Sequence, residues 1–290
     1  MKTHLVIPHY NDTARLESFL DAMQRGLPER FSILVSDDGS TPHERERLAA
    51  LIRAVQQKQS GGGPVFLDPL FTPRNTGKGG AVLRGWDHSW DADLLAFADA
   101  DGAVSAAEIL RAESFFRSPE AATAEALFAS RVKMLGRTVE RSLKRHLSGR
   151  VFATLVSIVG RVPAYDTQCG LKILRRSAFE KIRPHQQSVG FAFDVELCLL
   201  LRKFGFRMLE FPVDWSDIPG SKVSLLRDST RMAREVFKIR HRVDGLNPNS
   251  EELTTEDTTA RRGWRKEEQP KVGPKGGGVG ATESEGAEDR

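Results

Sequence analysis

Apolar and polar positions alternate in blocks along the first hundred residues. HLVIP (4–8) is a short apolar run broken by a proline, and RLESFLDAM (15–23) has helical spacing. FSILVSDDGS (31–40) predicts a strand that runs into a turn, and ERERLAALIRAVQQ (44–57) predicts a helix. SGGGPV (60–65) reads as a loop and PVFLDP as a third strand. KGGAVLRGWDHS (78–89) starts a helix directly after a loop, and DLLAFADAD (93–101) is the next strand. Strands alternating with helices predict an α/β domain with a mostly parallel sheet covered by helices. Ligands of such sheets bind beyond the carboxyl ends of the strands.

The second half predicts a helix over 105–117, a strand in AEALFASRV (124–132), and a long helix from 139. There Val139, Leu143, Leu147, Val151, Leu155 and Val159 recur every fourth position, and Arg137, Arg141, Lys144, Arg145 and Arg150 make its start basic. YDTQCGLKILRR (165–176) reads as a loop entering a strand, FAFDVELCLLLRKFGF (191–206) as a buried helix, and RMLEFPVDW (207–215) as a strand. LLRDSTRMAREVFKIRHR (225–242) predicts a basic amphipathic helix. Beyond it the chain is rich in Gly, Glu, Thr and Lys without periodicity. The reading is one domain over 1–244, with a nucleotide-binding half to about 104 and an acceptor half over 105–244, then a disordered tail over 245–290.

Composition sharpens this picture at three points. The net charge of +4 is uneven: residues 245–290 carry 10 acidic and 7 basic side chains, which leaves +7 on residues 1–244. A basic folded part expects an anionic partner such as a phosphate or an anionic membrane surface. No apolar run reaches the roughly 18–20 residues that span a bilayer, and MKTHLVIPHYND does not read as a signal peptide. Cys169 and Cys198 have no zinc-site spacing, so a reduced, cytoplasmic protein is the default expectation. A nucleic-acid role is not expected, because the basic helices lack interleaved aromatics.

The candidate chemistry falls at the predicted strand ends. Asp99 and Asp101 stand two apart at the exit of an apolar strand, so both can face one point. Two carboxylates beside small residues suit Mg²⁺ or Mn²⁺, which take one or two carboxylates plus substrate phosphates; the alternative is that they only begin a turn. In SDDGST (36–41) a carboxylate can accept hydrogen bonds from a base or a ribose, or form an Asx turn before Gly39. RNTGKGGAVLRG (74–85) places Arg74 and Lys78 among glycines just before a helix, an arrangement suited to an anion. It is neither a P-loop nor a dinucleotide fingerprint. Pro8, Tyr10 and Asn11 end the first strand where a base could sit.

In this order the elements V-I-P-x-Y-N, D-D-G-S, N-x-G-K-G and D-A-D resemble the family 2 glycosyltransferases of GT-A (Rossmann-like) fold. SRV (130–132), DTQCGLKILRR (166–176), FAFDVELCLLLRKFGF (191–206) and VDWSDIPGSKV (213–223) are similar to the polyprenyl-phosphate hexosyltransferases, nearest to the dolichyl-phosphate β-glucosyltransferase branch. The resemblance covers about residues 4–240. It implies inverting transfer of a hexose from a nucleotide sugar to polyprenyl or dolichyl phosphate, with UDP-glucose favoured over GDP-mannose. By the resemblance, Pro8, Tyr10 and Asn11 hold the base and Asp38 or Asp37 the nucleoside, with Arg74 and Lys78 near base and diphosphate. Asp99 faces ribose and metal, and Asp101 is the main metal ligand. Ser130 and Arg131 match the acceptor-phosphate site, with Arg141 as a helper, and Asp194 and Glu196 an acidic pair near it. Ser221 and Lys222 match a loop whose cation closes over the diphosphate. Ala103 stands where mannosyl relatives carry a glutamine. A soluble hydroxyl acceptor, which would need Asp194 or Asp166 as a base, and a non-catalytic nucleotide-sugar-binding protein are the alternatives. Without a spanning segment, a lipid carrier would be reached by peripheral membrane contact through the basic helices.

Overall fold

The computed structural model describes residues 1–58, 61–89, 91–132, 136–140, 166–190, 192–216 and 229–248. Contacts within the chain gather Met1–Pro248 into one unit. Arg141, Ser221, Lys222, most of the helix expected from 139, and the tail from 249 onward lie outside the described residues.

Eight of the described strands form one sheet in the order β3-β2-β1-β5-β8-β6-β9, with β4 also on β2. They are β1 (Thr3–His9), β2 (Phe31–Asp37), β3 (Val65–Phe66), β4 (Leu70–Phe71), β5 (Leu94–Ala98), β6 (Ala126–Ser130), β8 (Leu171–Arg175) and β9 (Met208–Pro212). All pairings are parallel except those of β8, which runs antiparallel between β5 and β6. β1 sits between β2 and β5 and is buried along nearly its whole length, which is why HLVI is continuously apolar rather than alternating.

Helices cover both faces, and strand parity decides which side each residue serves. Leu5, Ile7, Leu94, Ala96 and Ala98 pack with α1 (Thr13–Gly26), α2 (Pro42–Gln57) and α4 (Ala106–Phe116). Val6, Leu95 and Phe97 pack with α3 (Lys78–Asp87), α5 (Arg176–Ile182), α6 (Phe193–Lys203) and α7 (Ser229–Asp244). Local chemistry starts these helices: Thr41 accepts the Glu44 N–H before α2, with Pro42 at its first position, and Ser105 accepts the Glu108 N–H before α4.

One expected helix does not begin where its pattern does. Val139–Glu140 is a short parallel strand, β7, paired with β10 (Trp215–Ser216). Thr138 fixes this start, its N–H donating to Asp214 Oδ1 and its carbonyl accepting the Trp215 N–H. A four-residue apolar repeat does not register such a pairing, because the partner lies about 75 residues away in sequence.

Candidate active site

The parity that places Leu95 and Phe97 on the α3/α6 side carries Asp99 the same way, toward Lys78 at the first turn of α3 and Asp194 at the first turn of α6. Lys78 Nζ lies 2.8 Å from Asp99 Oδ1 and 3.7 Å from Asp194 Oδ2, over the face of Phe97. Burial opposes the charge on Lys78, but the two carboxylates outweigh it and hold the ammonium above its ordinary pKa. On the other side of Asp194, the fully buried Lys172 of β8 lies 2.8 Å from Oδ1 and donates to the Cys169 carbonyl. Lys172 was not singled out in the sequence, although a lysine inside the buried run GLKIL is the kind of signal that marks a charged partner.

Asp101 follows the strand on a turn that Gly102 completes at φ 72°. Its Oδ1 accepts the Ala103 N–H. Burial and then the neighbouring Asp99 push its carboxyl pKa up, so its charge is under-compensated. Gly170 sits against the same place: its carbonyl accepts the Asp99 N–H, and a Cβ there would lie 2.3 Å from Asp99 Oδ2.

Arg131 closes the other edge. Its Nε and Nη2 grip Asp166 at 2.6 and 2.7 Å, and its backbone N–H donates to the same carboxylate. Burial would raise Asp166, but Arg131 holds it below the usual carboxylate range. Ser130, at the end of β6, is buried, and its hydroxyl finds no hydrogen-bond partner among the described residues.

The second acidic strand end is built differently. The buried Asp37 receives His9 Nδ1 at 3.1 Å, the Ser40 N–H and the Arg45 guanidinium. Asp38 accepts the N–H and hydroxyl of Thr76, the Gly77 N–H at 2.7 Å, and Arg84 Nη2 at 2.9 Å. Gly80 N donates to the Val189 carbonyl. The Gly77 and Gly80 amides at the start of α3 are therefore taken by the protein. Arg74 stands exposed on that loop. Pro8 aligns with Ser36 across β1 and β2, and Tyr10 is 51% exposed just beyond. Asn11, at φ 49°, ties the two strand ends together: its N–H donates to Ser40 Oγ and its Oδ1 accepts the Thr41 N–H.

Asp194 and Glu196 do not act as a pair. Two positions apart on a helix they point away from each other, and Glu196 turns to the 186–188 segment and Arg242. Cys169 and Cys198 are buried, and burial pushes both thiols up to about 12.

Asp99, Asp166 and Asp194 thus pair with Lys78, Arg131 and Lys172 at the carboxyl end of the central strands. Asp101 feels Lys78 and Arg15 at longer range, and burial with Asp99 outweighs them. A divalent cation fits a donor set of this kind, with phosphate and water completing its shell. No group of three or more His, Cys, Asp or Glu able to hold a metal occurs among the described residues.

Residues 4–183 match the family model of glycosyl transferase family 2. The chain belongs to that family. This glycosyltransferase is 31% identical over 249 residues to the dolichyl-phosphate beta-glucosyltransferase of Saccharomyces cerevisiae, covering 81% of this chain and 73% of the yeast protein. The human protein of that name is 28% identical, with 82% and 74% covered. Among solved structures, the glucosyl-3-phosphoglycerate synthase of Mycobacterium tuberculosis in complex with Mg²⁺ and uridine diphosphate aligns with a TM-score of 0.57 at 14% identity, over 85% of this chain and 80% of that one. That likeness is one of fold: a mostly parallel sheet flanked by helices.

Proposed function

We propose that this family 2 glycosyltransferase moves glucose, with inversion, from UDP-glucose to the phosphate of a polyprenyl or dolichyl carrier. The observation that carries the reading is the Lys78 ammonium set between Asp99 and Asp194, with the under-compensated Asp101 beside it. The acceptor and the sugar follow the names of the relatives matched over most of their length, and UDP as the nucleotide follows the sequence resemblance.

On this reading Asp101 and Asp99 hold Mg²⁺ or Mn²⁺. When bound, the metal neutralises charge on the departing diphosphate. Lys78 is assigned to that charge, and a fixed ammonium in a buried site stabilises a leaving anion without reorganising. Tyr10, Asn11, Pro8 and Arg74 border the base side, while Asp37 and Asp38 hold the loops that shape it. Arg131, set by Asp166, and Ser130 face the acceptor phosphate. Arg141 is assigned to the same group, and Ser221 and Lys222 to the donor lid, on the resemblance alone. A phosphate monoester has a second pKa of about 6, so the nucleophile is mostly dianionic at neutral pH. Asp194 then serves to hold Lys172 and Lys78 rather than to remove a proton.

Access to a lipid carrier falls to α7. Arg234, Phe237, Lys238 and His241 are exposed and share one face, with Phe237 63% exposed between the basic side chains. One apolar anchor among cations suits an anionic headgroup layer at the cytoplasmic membrane face. No described helix is long and apolar enough to cross a membrane.

The test is transfer of labelled glucose from UDP-glucose, with Mg²⁺ or Mn²⁺, into a polyprenyl phosphate that partitions into organic solvent. Label in the lipid supports the reading. Label only in a soluble acceptor, or exclusively from GDP-mannose, would overturn the acceptor or the donor assignment.

A further inference from the structure

Glu196 is fully buried one turn into α6, among Val195, Leu197 and Leu199. Its Oε2 accepts Gln186 Nε2 at 2.6 Å, the Gln187 N–H at 3.0 Å and the Ser188 N–H at 2.5 Å. Its Oε1 pairs with Arg242 Nη2, and Arg242 Nη1 donates to the His185 carbonyl at 2.8 Å. The last turn of α7 and the first of α6 thus fix the 185–188 segment from two directions. The next residue continues the connection: Val189 O accepts the Gly80 N–H at 2.9 Å. Gly77, at φ 103°, has room for no Cβ, because one would lie 2.6 Å from that same carbonyl. Lys78 sits between these two glycines.

We infer that Arg242 is a positioning residue for the donor: through Glu196 it sets the 186–189 segment, against which the Lys78 loop is seated. Without the guanidinium, a buried carboxylate keeps one oxygen unmatched, and the least costly relief is to loosen the backbone it holds. Val189 O then no longer gives Gly80 a fixed acceptor, and Lys78 loses its seat between Asp99 and Asp194. This connects the last turn of α7 to the cation assigned to the diphosphate. It rests on the reading that Lys78 and its loop receive the nucleotide diphosphate.

The experiment uses the full chain and the variants Arg242→Gln, Arg242→Lys, Glu196→Gln, the Arg242→Gln/Glu196→Gln double and Val243→Ala. Val243 is buried in the same apolar cluster but belongs to no part of the Glu196 network, so it reports simple loosening of the helix. Arg242→Gln is expected to raise KM for UDP-glucose about fivefold to tenfold and to lower kcat as well, because the displaced Lys78 also serves the leaving group, with the acceptor KM changed less than about twofold. Glu196→Gln should do the same and add nothing in the double variant, and Arg242→Lys should recover most of the donor KM. Hydrogen exchange at the Ser188 and Gly80 amides should speed up in Arg242→Gln and not in Val243→Ala. An unchanged donor KM, or an equal rise in Val243→Ala, would overturn the inference. Wild-type protein that used no UDP-glucose would sink the donor reading instead, and the Gly80 exchange rate would still judge the coupling: no change there ends it.

Discussion

Lys78 and Asp99 meet at 2.8 Å, one from the first turn of a helix and the other just past the end of the central strand. Lys78 also lies 3.7 Å from the buried Asp194, which it shares with Lys172 at 2.8 Å. Removing it is therefore a test of both chemistry and stability.

Lys78→Met is expected to lower transfer by at least about 100-fold but to destabilise the protein by only about 1 kcal/mol, because Asp194 keeps Lys172 at 2.8 Å and the partner lost is that of the partly exposed Asp99. Steady-state kinetics and urea unfolding read the two effects separately. Near-normal activity would remove Lys78 from the donor site.

Asp101→Asn should abolish transfer while leaving the fold as stable as before or slightly more so, since burial and Asp99 both disfavour its charge. Adding Mn²⁺ with UDP should raise the melting temperature of the wild type and leave that of the variant unmoved. An equal shift in both proteins would place the metal elsewhere.

Gly170→Ala puts a methyl group 2.3 Å from Asp99 Oδ2 and forces that carboxylate off Lys78. The expected cost is about 1–3 kcal/mol in stability together with a loss of transfer of roughly tenfold or more. Gly61→Ala, where a Cβ meets nothing within 4 Å, is the control and should be silent in both measurements.

His4 is expected to contribute to acid sensitivity. Burial pushes its pKa down to about 4 from 6.5, while its ring nitrogens meet Ser32 Oγ and the Gly85 carbonyl. The unfolded chain binds the extra proton first, so stability is full above about pH 6.5 and falls by about 3 kcal/mol as pH drops toward 4. His185 shifts in the same direction and adds to the loss. Urea midpoints at pH 7 and pH 4.5 should differ in the wild type and much less in His4→Gln. A flat profile in the wild type would disprove the assignment.

Apart from the two-residue β4, the order of strands and helices through residue 130 was legible in the chain, because apolar runs and 3.6-residue periodicity are local properties. The same locality exposed Asp99 and Asp101: an apolar strand that ends in carboxylates needs no partner to be noticed. The antiparallel placement of β8 between β5 and β6 was not legible, nor was the pairing of Val139 with Trp215. Neither was the division of labour among the acids. DDGS names two aspartates without saying that Asp38 clamps the Lys78 loop while Asp37 holds His9 and Arg45. DVE names two more without separating Asp194, which faces Lys172 and Lys78, from Glu196, which faces Arg242. Residue type and spacing are carried by the chain itself. Which charge meets which is a matter of approach between segments dozens of residues apart, and electrostatic pairing at about 3 Å exists only once the sheet has brought them together.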